Sequence, residues 1–167
     1  IVAIFPCDHY YSSESAFTAA LESAFTVADT RPASIVLLGA QPTSAEVEYG
    51  WIELGEAAIG CRDGVQRVAG FQEKPAQRAA DQLFRGGALW NTFVMVGHAS
   101  AFLDLALSFV PGLVKTLQAA SMAPTGDDQE ITIPDSLYDD ILSTDFSRQV
   151  LAPGATRQIG RASCREK

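Results

Sequence analysis

The sequence predicts a single α/β domain whose mixed, mostly parallel sheet is flanked by helices. Residues 1–5 and 34–39 are short apolar runs without polar alternation, which is typical of strands buried on both faces. Between them, apolar residues recur at helical spacing, and a strand, a helix and a strand in this order form a unit with parallel strands. Residues 49–54 and 65–72 alternate weakly, which indicates some antiparallel pairing in the middle of the chain.

Length and composition limit the classes of protein to consider. The 167 residues suffice for one domain, and the chain is 47% hydrophobic and 19% charged, as in ordinary globular proteins. The net charge of −8 argues against a nucleic-acid partner, which would need stripes of Lys and Arg. The three cysteines, Cys7, Cys61 and Cys164, show no paired spacing, so neither a disulfide framework nor a zinc site is predicted. Because the sequence shows no apolar run of membrane-spanning length and no signal peptide, we expect a cytoplasmic protein without a membrane partner.

The first strand, residues 1–5, leads directly to Asp8. Ligands of open α/β sheets bind just beyond the carboxyl ends of the strands, so Asp8 is well placed to hold a metal, although a carboxylate that only precedes a helix fits the same pattern. Residues 12–15, Ser-Ser-Glu-Ser, offer a hydroxyl cap and an acidic first turn to a helix that ends near residue 30. Residues 34–39 then form the second strand.

The remaining elements follow from the same patterns. Residues 49–54 and 65–72 are predicted strands, separated by a loop or hairpin tip at residues 55–64. Gly86 and Gly87 end a short helix, and Pro111 ends a later one. The predicted elements of this part are a helix at 77–84, a strand at 88–96, helices at 100–109, 113–122 and 133–142, and a last short helix that follows residues 143–146.

The stretch Phe71-Gln72-Glu73-Lys74-Pro75 places an anion and a cation side by side at the end of a predicted strand. Neighbouring strand residues point to opposite faces, so both side chains can serve one ligand only if the backbone leaves the strand there, as Pro75 requires. A carboxylate accepts from hydroxyls and an ammonium holds a phosphate, which together suit a sugar phosphate. The stretch taken alone is more typical of a solvated ion pair at a strand end.

Five stretches occur in an order and spacing that resemble the sugar-1-phosphate nucleotidyltransferases, and within them the mannose-1-phosphate guanylyltransferase branch. The resemblance runs from residue 1 to about residue 151. Each stretch is weak evidence by itself, whereas five in order are specific. The stretches are Phe5-Pro6-Cys7-Asp8-His9, Gly39-Ala40-Gln41-Pro42-Thr43, Glu48-Tyr49-Gly50-Trp51-Ile52, Phe71-Gln72-Glu73-Lys74-Pro75 and Leu89-Trp90-Asn91-Thr92-Phe93.

The resemblance implies a Rossmann-like, GT-A-like nucleotidyltransferase core. It also implies an enzyme that joins a nucleoside triphosphate to a sugar 1-phosphate with Mg²⁺ and releases pyrophosphate, here mannose 1-phosphate and GTP giving GDP-mannose. The alternatives are a non-catalytic relative that binds a sugar nucleotide and regulates another process, a transferase of the family for another sugar or base, and an unrelated α/β binding domain. Convergence of the candidate residues in one cleft would argue against the last.

The resemblance also implies roles for individual residues. Asp8 and Asp145 match metal-binding aspartates, although Asp145 could equally be a helix N-cap. Asp8 and Lys74 would be the catalytic residues, with Lys74 as the cation for the sugar phosphate. Three residues match positions that bind the sugar: Gly50 by close backbone approach, Glu73 as the acceptor from sugar hydroxyls, and Asn91 as a further contact. His9 is predicted to be structural, His98 to be a surface or cap residue, and Trp51 and Trp90 to have a structural role in the core.

The glycine-rich loop of the family, with its arginine and lysine, has no counterpart in the sequence. We therefore expect residues 1–157 to be a partial nucleotidyltransferase domain, incomplete at both ends and inactive alone. Mg²⁺-dependent pyrophosphate release from GTP and mannose 1-phosphate by this chain would contradict that expectation. Residues 158–165 resemble a translated sequencing adaptor, which predicts a non-native tail over residues 158–167, the alternative being a genuine basic tail.

Overall fold

A computed structural model describes residues 1–58, 65–121, 135–139 and 141–164. The strands are β1 (Val2–Ile4), β2 (Ile35–Ala40), β3 (Gly50–Ala57), β4 (Val65–Glu73), β5 (Leu89–Gly97) and β6 (Ile159–Cys164). The helices are α1 (Glu14–Thr30), α2 (Gln77–Arg85), α3 (Ala99–Phe109), α4 (Pro111–Ser121), α5 (Asp135–Asp139) and α6 (Ala152–Gln158), with a π-helical segment at Ser147–Leu151. Among the described residues, no helix combines the length and the apolar character needed to cross a membrane.

The predicted α/β class is confirmed, but the prediction of a mostly parallel sheet is wrong. The six strands lie in the order β1-β5-β2-β6-β4-β3, and β3 also pairs with β5. Among the described strand pairs only β2 and β6 are parallel. The reason is the position of β5, which lies between β1 and β2 and runs opposite to both. Val96 of β5 pairs with Ala3 on one side and with Val36 on the other. Thus β1 and β2 share a direction, as predicted, without being neighbours.

The uninterrupted apolar run of β2 divides between two cores. Ile35 and Leu37 belong to a cluster on one face of the sheet with Leu105 of α3. Val36 and Leu38 belong to a second cluster, with Ala24 and Val27 of α1. Because side chains alternate along a strand, β2 is buried on both faces, as predicted.

Burial on both faces was also predicted for residues 1–5, and this prediction is wrong for β1. Val2 is 40% exposed and Ile4 is 41% exposed. In the described part of the chain β1 pairs only with β5, so it forms an edge of the sheet. An apolar sequence therefore indicated a strand here but not its burial.

Strand β6 differs from the expectation that residues 158–167 stand outside the fold. Ile159–Cys164 lies between β2 and β4, parallel to β2 and antiparallel to β4. The domain limits and the origin proposed for this segment stay predictions.

The middle hairpin brings the two candidate sugar-binding stretches together. Strands β3 and β4 are antiparallel, as predicted, with Gly50 opposite Glu73 and Ile52 opposite Phe71. The loop or tip predicted at residues 55–64 begins too early, because β3 continues to Ala57. Residues 59–64, which include Cys61, lie outside the described residues, as do residues 122–134, residue 140 and residues 165–167. The hairpin thus places the start of β3 beside the end of β4.

Candidate functional site

A cavity of about 620 Å³ lies where the carboxyl ends of β1, β2 and β4 meet the amino ends of β3 and β5. The segment that follows β1 forms one wall, and the β3–β4 hairpin and β5 form the others. Aromatic rings supply much of its surface, and two carboxylates face it. The lining residues are Ile4, Phe5, Pro6, His9, Tyr10, Tyr11, Ala40, Glu48, Tyr49, Gly50, Glu73, Trp90, Asn91, Thr92 and Phe93.

Gly50, Glu73 and Asn91 meet at one point of this wall. A Cβ atom added to Gly50 would lie 2.7 Å from Glu73 Oε2, 3.1 Å from Phe71 Cζ and 3.4 Å from Asn91 Cβ. The space above Gly50 is therefore taken by the Glu73 carboxylate and its neighbours. The sequence interpretation assigns Gly50 to leaving room for a ligand, whereas in the structure it leaves room for the side chain of Glu73.

Lys74 lies at the point where the backbone leaves β4. Its φ of 45° is in the left-handed region, and its N–H donates to Tyr49 O at 3.2 Å. The departure from the strand expected from Pro75 is thus present, one residue before the proline. The ammonium lies 3.3 Å from Glu48 Oε2. Lys74 itself does not line the cavity, but its partner Glu48 does, so the cation stands at the rim.

The ion pair in the structure joins Lys74 to Glu48 and not to Glu73. The side chains of Lys74 and Glu48 are 50% and 73% exposed, so solvent screens the pair and its contribution to stability is small. Both charges can therefore exchange partners when a charged ligand arrives. The Glu73 carboxylate, which is half-buried, stays in the cavity wall.

Asn91 is held by an irregularity in β5. Leu37 pairs with Met95 and Gly39 pairs with Asn91, so the single residue Leu38 lies opposite three residues of β5. At the centre of this bulge Phe93 has a φ of 59°. The Phe93 N–H donates to Asn91 Oδ1 at 3.2 Å. Bulges of this kind reorient side chains, and here the reoriented side chain lines the cavity.

The two aspartates predicted to bind a metal are not brought into one cavity. Asp8 is exposed and follows Pro6, a lining residue of the cavity. Asp145 accepts from the Arg148 N–H at 3.0 Å, which is the bond of a helix N-cap. Its neighbours Thr144 and Gln149 line a different cavity, of about 320 Å³. The described residues contain no group of three or more His, Cys, Asp or Glu side chains placed to hold a metal ion. A metal shared by Asp8 and Asp145 stays a prediction.

The aromatic wall and Glu48 are features that the sequence interpretation missed. Tyr49 is 49% exposed and meets Trp90 edge to face, with ring centroids 5.0 Å apart. Trp51 is fully buried and its Nε1–H donates to Glu46 O, as its predicted structural role requires. Trp90 is only half-buried and also lines the cavity, so a purely structural role, as predicted, does not cover its position in the wall. Two sequence signals could have indicated this wall: the aromatic run His9-Tyr10-Tyr11 directly after Asp8, and Tyr49 directly before Gly50.

Comparisons with known proteins agree with the fold and with the family suggested by the motifs. A sequence model of the family described as nucleotidyl transferase matches residues 1–119. The alginate biosynthesis protein AlgA of Pseudomonas putida is 38% identical over 105 residues, which cover 62% of this chain and 21% of AlgA. A mannose-1-phosphate guanylyltransferase of Escherichia coli K12 is 27% identical over 140 residues, covering 83% of this chain and 29% of the relative. The chain therefore spans less than a third of the length of these relatives.

Two solved structures share the fold. One is a Thermus thermophilus protein described as a mannose-1-phosphate geranyltransferase, with a TM-score of 0.79, 23% identity, and coverage of 98% of this chain and 44% of that chain. The other is described as a mannose-6-phosphate isomerase from Helicobacter pylori, with a TM-score of 0.79, 20% identity, and coverage of 99% and 62%. At these identities the similarity bears on the fold alone.

Proposed function

The chain belongs to the nucleotidyl transferase family, and from this premise we propose that it serves the transfer of a nucleotidyl group to a sugar 1-phosphate. The substrates in this proposal are mannose 1-phosphate and GTP, and the products are GDP-mannose and pyrophosphate. The relatives described as mannose-1-phosphate guanylyltransferases support this choice of sugar and base. The proposal assigns the sugar phosphate to the cavity of about 620 Å³.

The observation that carries the proposal is the meeting of Glu73, Asn91 and Gly50 in the wall of this cavity, with Lys74 at its rim. A carboxylate and an amide next to aromatic rings suit a sugar, which has hydroxyls to bind and apolar faces to cover. The ammonium of Lys74 suits the phosphate of the same molecule, because it is a mobile point charge with three donors.

The transfer needs positioning and charge neutralisation rather than a covalent intermediate on the protein. An oxygen of the sugar phosphate attacks the α-phosphorus of GTP in line, and the bond from that phosphorus to the β-phosphate oxygen breaks, so pyrophosphate leaves. Glu73 accepts from sugar hydroxyls and fixes the orientation of the ring. Lys74 exchanges Glu48 for the sugar phosphate and holds the attacking oxygen in place.

Magnesium fits one of the two predicted ligands. Mg²⁺ prefers oxygen atoms and takes few of them from protein, so one exposed carboxylate together with phosphate oxygens and water is a suitable set. Asp8 is exposed and lies beside the cavity-lining residues Pro6 and His9. When bound, the metal would neutralise charge on the phosphates. Asp145 as a second ligand stays a prediction, since its carboxylate caps a helix.

Titration calorimetry with four ligands tests the sugar-phosphate assignment. Mannose 1-phosphate should bind, whereas mannose without its phosphate and inorganic phosphate without the sugar should each bind far more weakly. GDP-mannose should compete with mannose 1-phosphate, because it contains the same sugar and the same adjoining phosphate. Equal binding of mannose and mannose 1-phosphate would contradict the role of a cation at the rim, and no binding of mannose 1-phosphate would reject the proposal.

A matched pair of lysine variants locates the binding. Lys74→Ala should weaken mannose 1-phosphate by roughly 10- to 150-fold, because a hydrogen bond to a charged group contributes about 1.5–3 kcal/mol. Lys115, an exposed lysine on α4, serves as the control, since Lys115→Ala removes the same charge away from the cavity. If both variants lost affinity equally, the effect would come from net charge and not from Lys74.

A further inference from the structure

We propose that Thr92 is a positioning residue, whose hydroxyl fixes the bulge in β5 and so determines that the amide of Asn91 offers a donor to the cavity. This inference rests on the proposed function only in naming mannose 1-phosphate as the ligand. Its structural part concerns Thr92, Phe93 and Asn91 alone.

The hydroxyl of Thr92 makes hydrogen bonds at the point where the regular backbone pairing between β2 and β5 is interrupted. Thr92 is 9% exposed, and its Oγ1–H donates to Leu38 O at 2.7 Å. The same oxygen accepts from the Val94 N–H at 3.3 Å. One buried hydroxyl therefore connects the facing strand β2 to both sides of the bulge. The isosteric methyl group of valine could make neither bond.

These bonds hold Phe93 in a conformation that a bulky residue rarely adopts. Its φ of 59° is left-handed, and such residues persist only where the surrounding structure enforces them. Two constraints act here: the Thr92 hydroxyl on the backbone, and the packing of the Phe93 ring against the core cluster that contains Leu37 and Met95. Without the hydroxyl, only the packing of the ring and the bond from the Phe93 N–H to Asn91 Oδ1 would oppose the return of this segment to a regular strand.

The conformation of Phe93 determines which atom of the Asn91 amide faces the ligand. A backbone N–H can only donate, so the Asn91 atom that it contacts at 3.2 Å is the oxygen, Oδ1. The other end, Nδ2, is buried and has no hydrogen-bond partner among the described residues. A buried donor without a partner calls for one, and Asn91 lines the cavity beside Glu73. Nδ2 has almost no exposed surface here, and in this proposal it is the donor that a ligand in the cavity would engage next to the Glu73 carboxylate.

This pairing specifies a ligand that accepts at one oxygen and donates from a neighbouring one. Two adjacent hydroxyls of a sugar ring meet this requirement, because each hydroxyl can act in either sense. A free phosphate ion does not, since it has little to donate to Glu73. Thr92, which touches no ligand in this scheme, acts on sugar recognition through Asn91.

Nuclear magnetic resonance of the 167-residue chain tests the inference without any ligand. In the wild type, the Phe93 amide should exchange slowly with solvent and the χ1 angle of Asn91 should occupy a single rotamer. Thr92→Val should remove the protection of the Phe93 amide and average the χ1 angle, and Thr92→Ser, which keeps the hydroxyl, should restore both. Val150→Ala, which truncates a buried core residue in the π-helical segment, controls for loss of stability alone.

Titrations of the same variants with mannose 1-phosphate give the functional readout. Thr92→Val should weaken binding by about tenfold, the upper range for loss of one neutral hydrogen bond, and Thr92→Ser by much less. Asn91→Asp keeps an oxygen for the Phe93 N–H but replaces the donor with an acceptor, so it should preserve amide protection and still lose affinity. If Thr92→Val does not fold, the wild-type rotamer and the Asn91→Asp variant decide the question.

Two results would overturn the inference: an averaged Asn91 rotamer in the wild type, or a folded Thr92→Val chain that keeps both the rotamer and the protected amide. A wild-type chain that failed to bind mannose 1-phosphate would instead reject the proposed function. In that case the rotamer and exchange measurements would still decide the role of Thr92.

Discussion

Substitution of Gly50 by alanine should damage the cavity through Glu73. The added Cβ would lie 2.7 Å from Glu73 Oε2, closer than real Cβ atoms come to an oxygen, and 3.1 Å from Phe71 Cζ. The carboxylate is the end of a flexible side chain and can rotate away. The Phe71 ring is 6% exposed, belongs to the core, and must yield by a few tenths of an ångström.

The expected magnitudes differ for stability and for binding. Overpacking a core costs about 1–3 kcal/mol, and we expect about 1 kcal/mol here because the closest contact is with a mobile carboxylate. The displaced carboxylate no longer accepts from the sugar, and a charge-assisted hydrogen bond contributes about 1.5–3 kcal/mol. The affinity for mannose 1-phosphate should therefore fall by roughly 10- to 150-fold.

Urea unfolding and titration calorimetry measure the two effects on the same samples. Gly112→Ala is the matched control, because a Cβ at that position would have no atom within 4 Å. In a Glu73→Ala background, Gly50→Ala should cause little further loss of affinity, since the carboxylate that it displaces is already absent. If the two losses simply added, or if Gly50→Ala alone left the affinity unchanged, the alanine would not act through Glu73 and this reasoning would be refuted.

Substitutions at three further positions have distinct expected outcomes. Lys74→Gly and Lys74→Ala should lose affinity for mannose 1-phosphate equally. The glycine variant should be more stable to urea by about 1 kcal/mol, because φ at this position is 45° and an alanine in the left-handed region costs about that much. Equal stabilities of the two variants would contradict this expectation. Glu73→Gln should weaken the binding of mannose 1-phosphate less than Glu73→Ala does, since a neutral amide keeps an acceptor without its charge. In parallel titrations it should still reduce the preference for mannose 1-phosphate over glucose 1-phosphate. An unchanged preference would exclude Glu73 from sugar recognition. Asp145→Ala should lower the free energy of unfolding by about 1 kcal/mol through loss of the bond to the Arg148 N–H, and an unchanged value would show that the cap contributes nothing.

The sequence predicted the elements well because local patterns determine them. The unbroken apolar run of β2 indicated burial on both faces, and Pro75 indicated where β4 ends. The pairing of β5 between β1 and β2 could not be predicted in this way. Val96 is far along the chain from both Ala3 and Val36, and no local pattern indicates which distant strand will lie between two others.

The site was predicted only in part, because local patterns indicate some of its residues but not how distant segments hold them. Gly50, Glu73 and Asn91 lie in motifs and do meet in space. The bulge that holds Asn91 has no local signal, because Thr92, Phe93 and Val94 have the sequence of an ordinary strand and nothing marks Phe93 for a left-handed backbone. Asp145 shows the opposite case: a cap and a metal ligand require the same carboxylate, and only the bond to the Arg148 N–H identified the cap.

The chain contains two tryptophans, and because their surroundings differ, its intrinsic fluorescence can report on more than one event. Trp51 is fully enclosed, so water reaches it only when the molecule unfolds, but its ring centroid lies 6.2 Å from that of Trp90 and the two rings can exchange excitation energy. Trp90 is half-buried in the cavity wall and touches the ring of Tyr49, so its emission should change when a ligand excludes water from that wall. Fluorescence of the unlabelled protein should therefore follow occupancy of the cavity at low ligand concentration and loss of the core at high denaturant concentration.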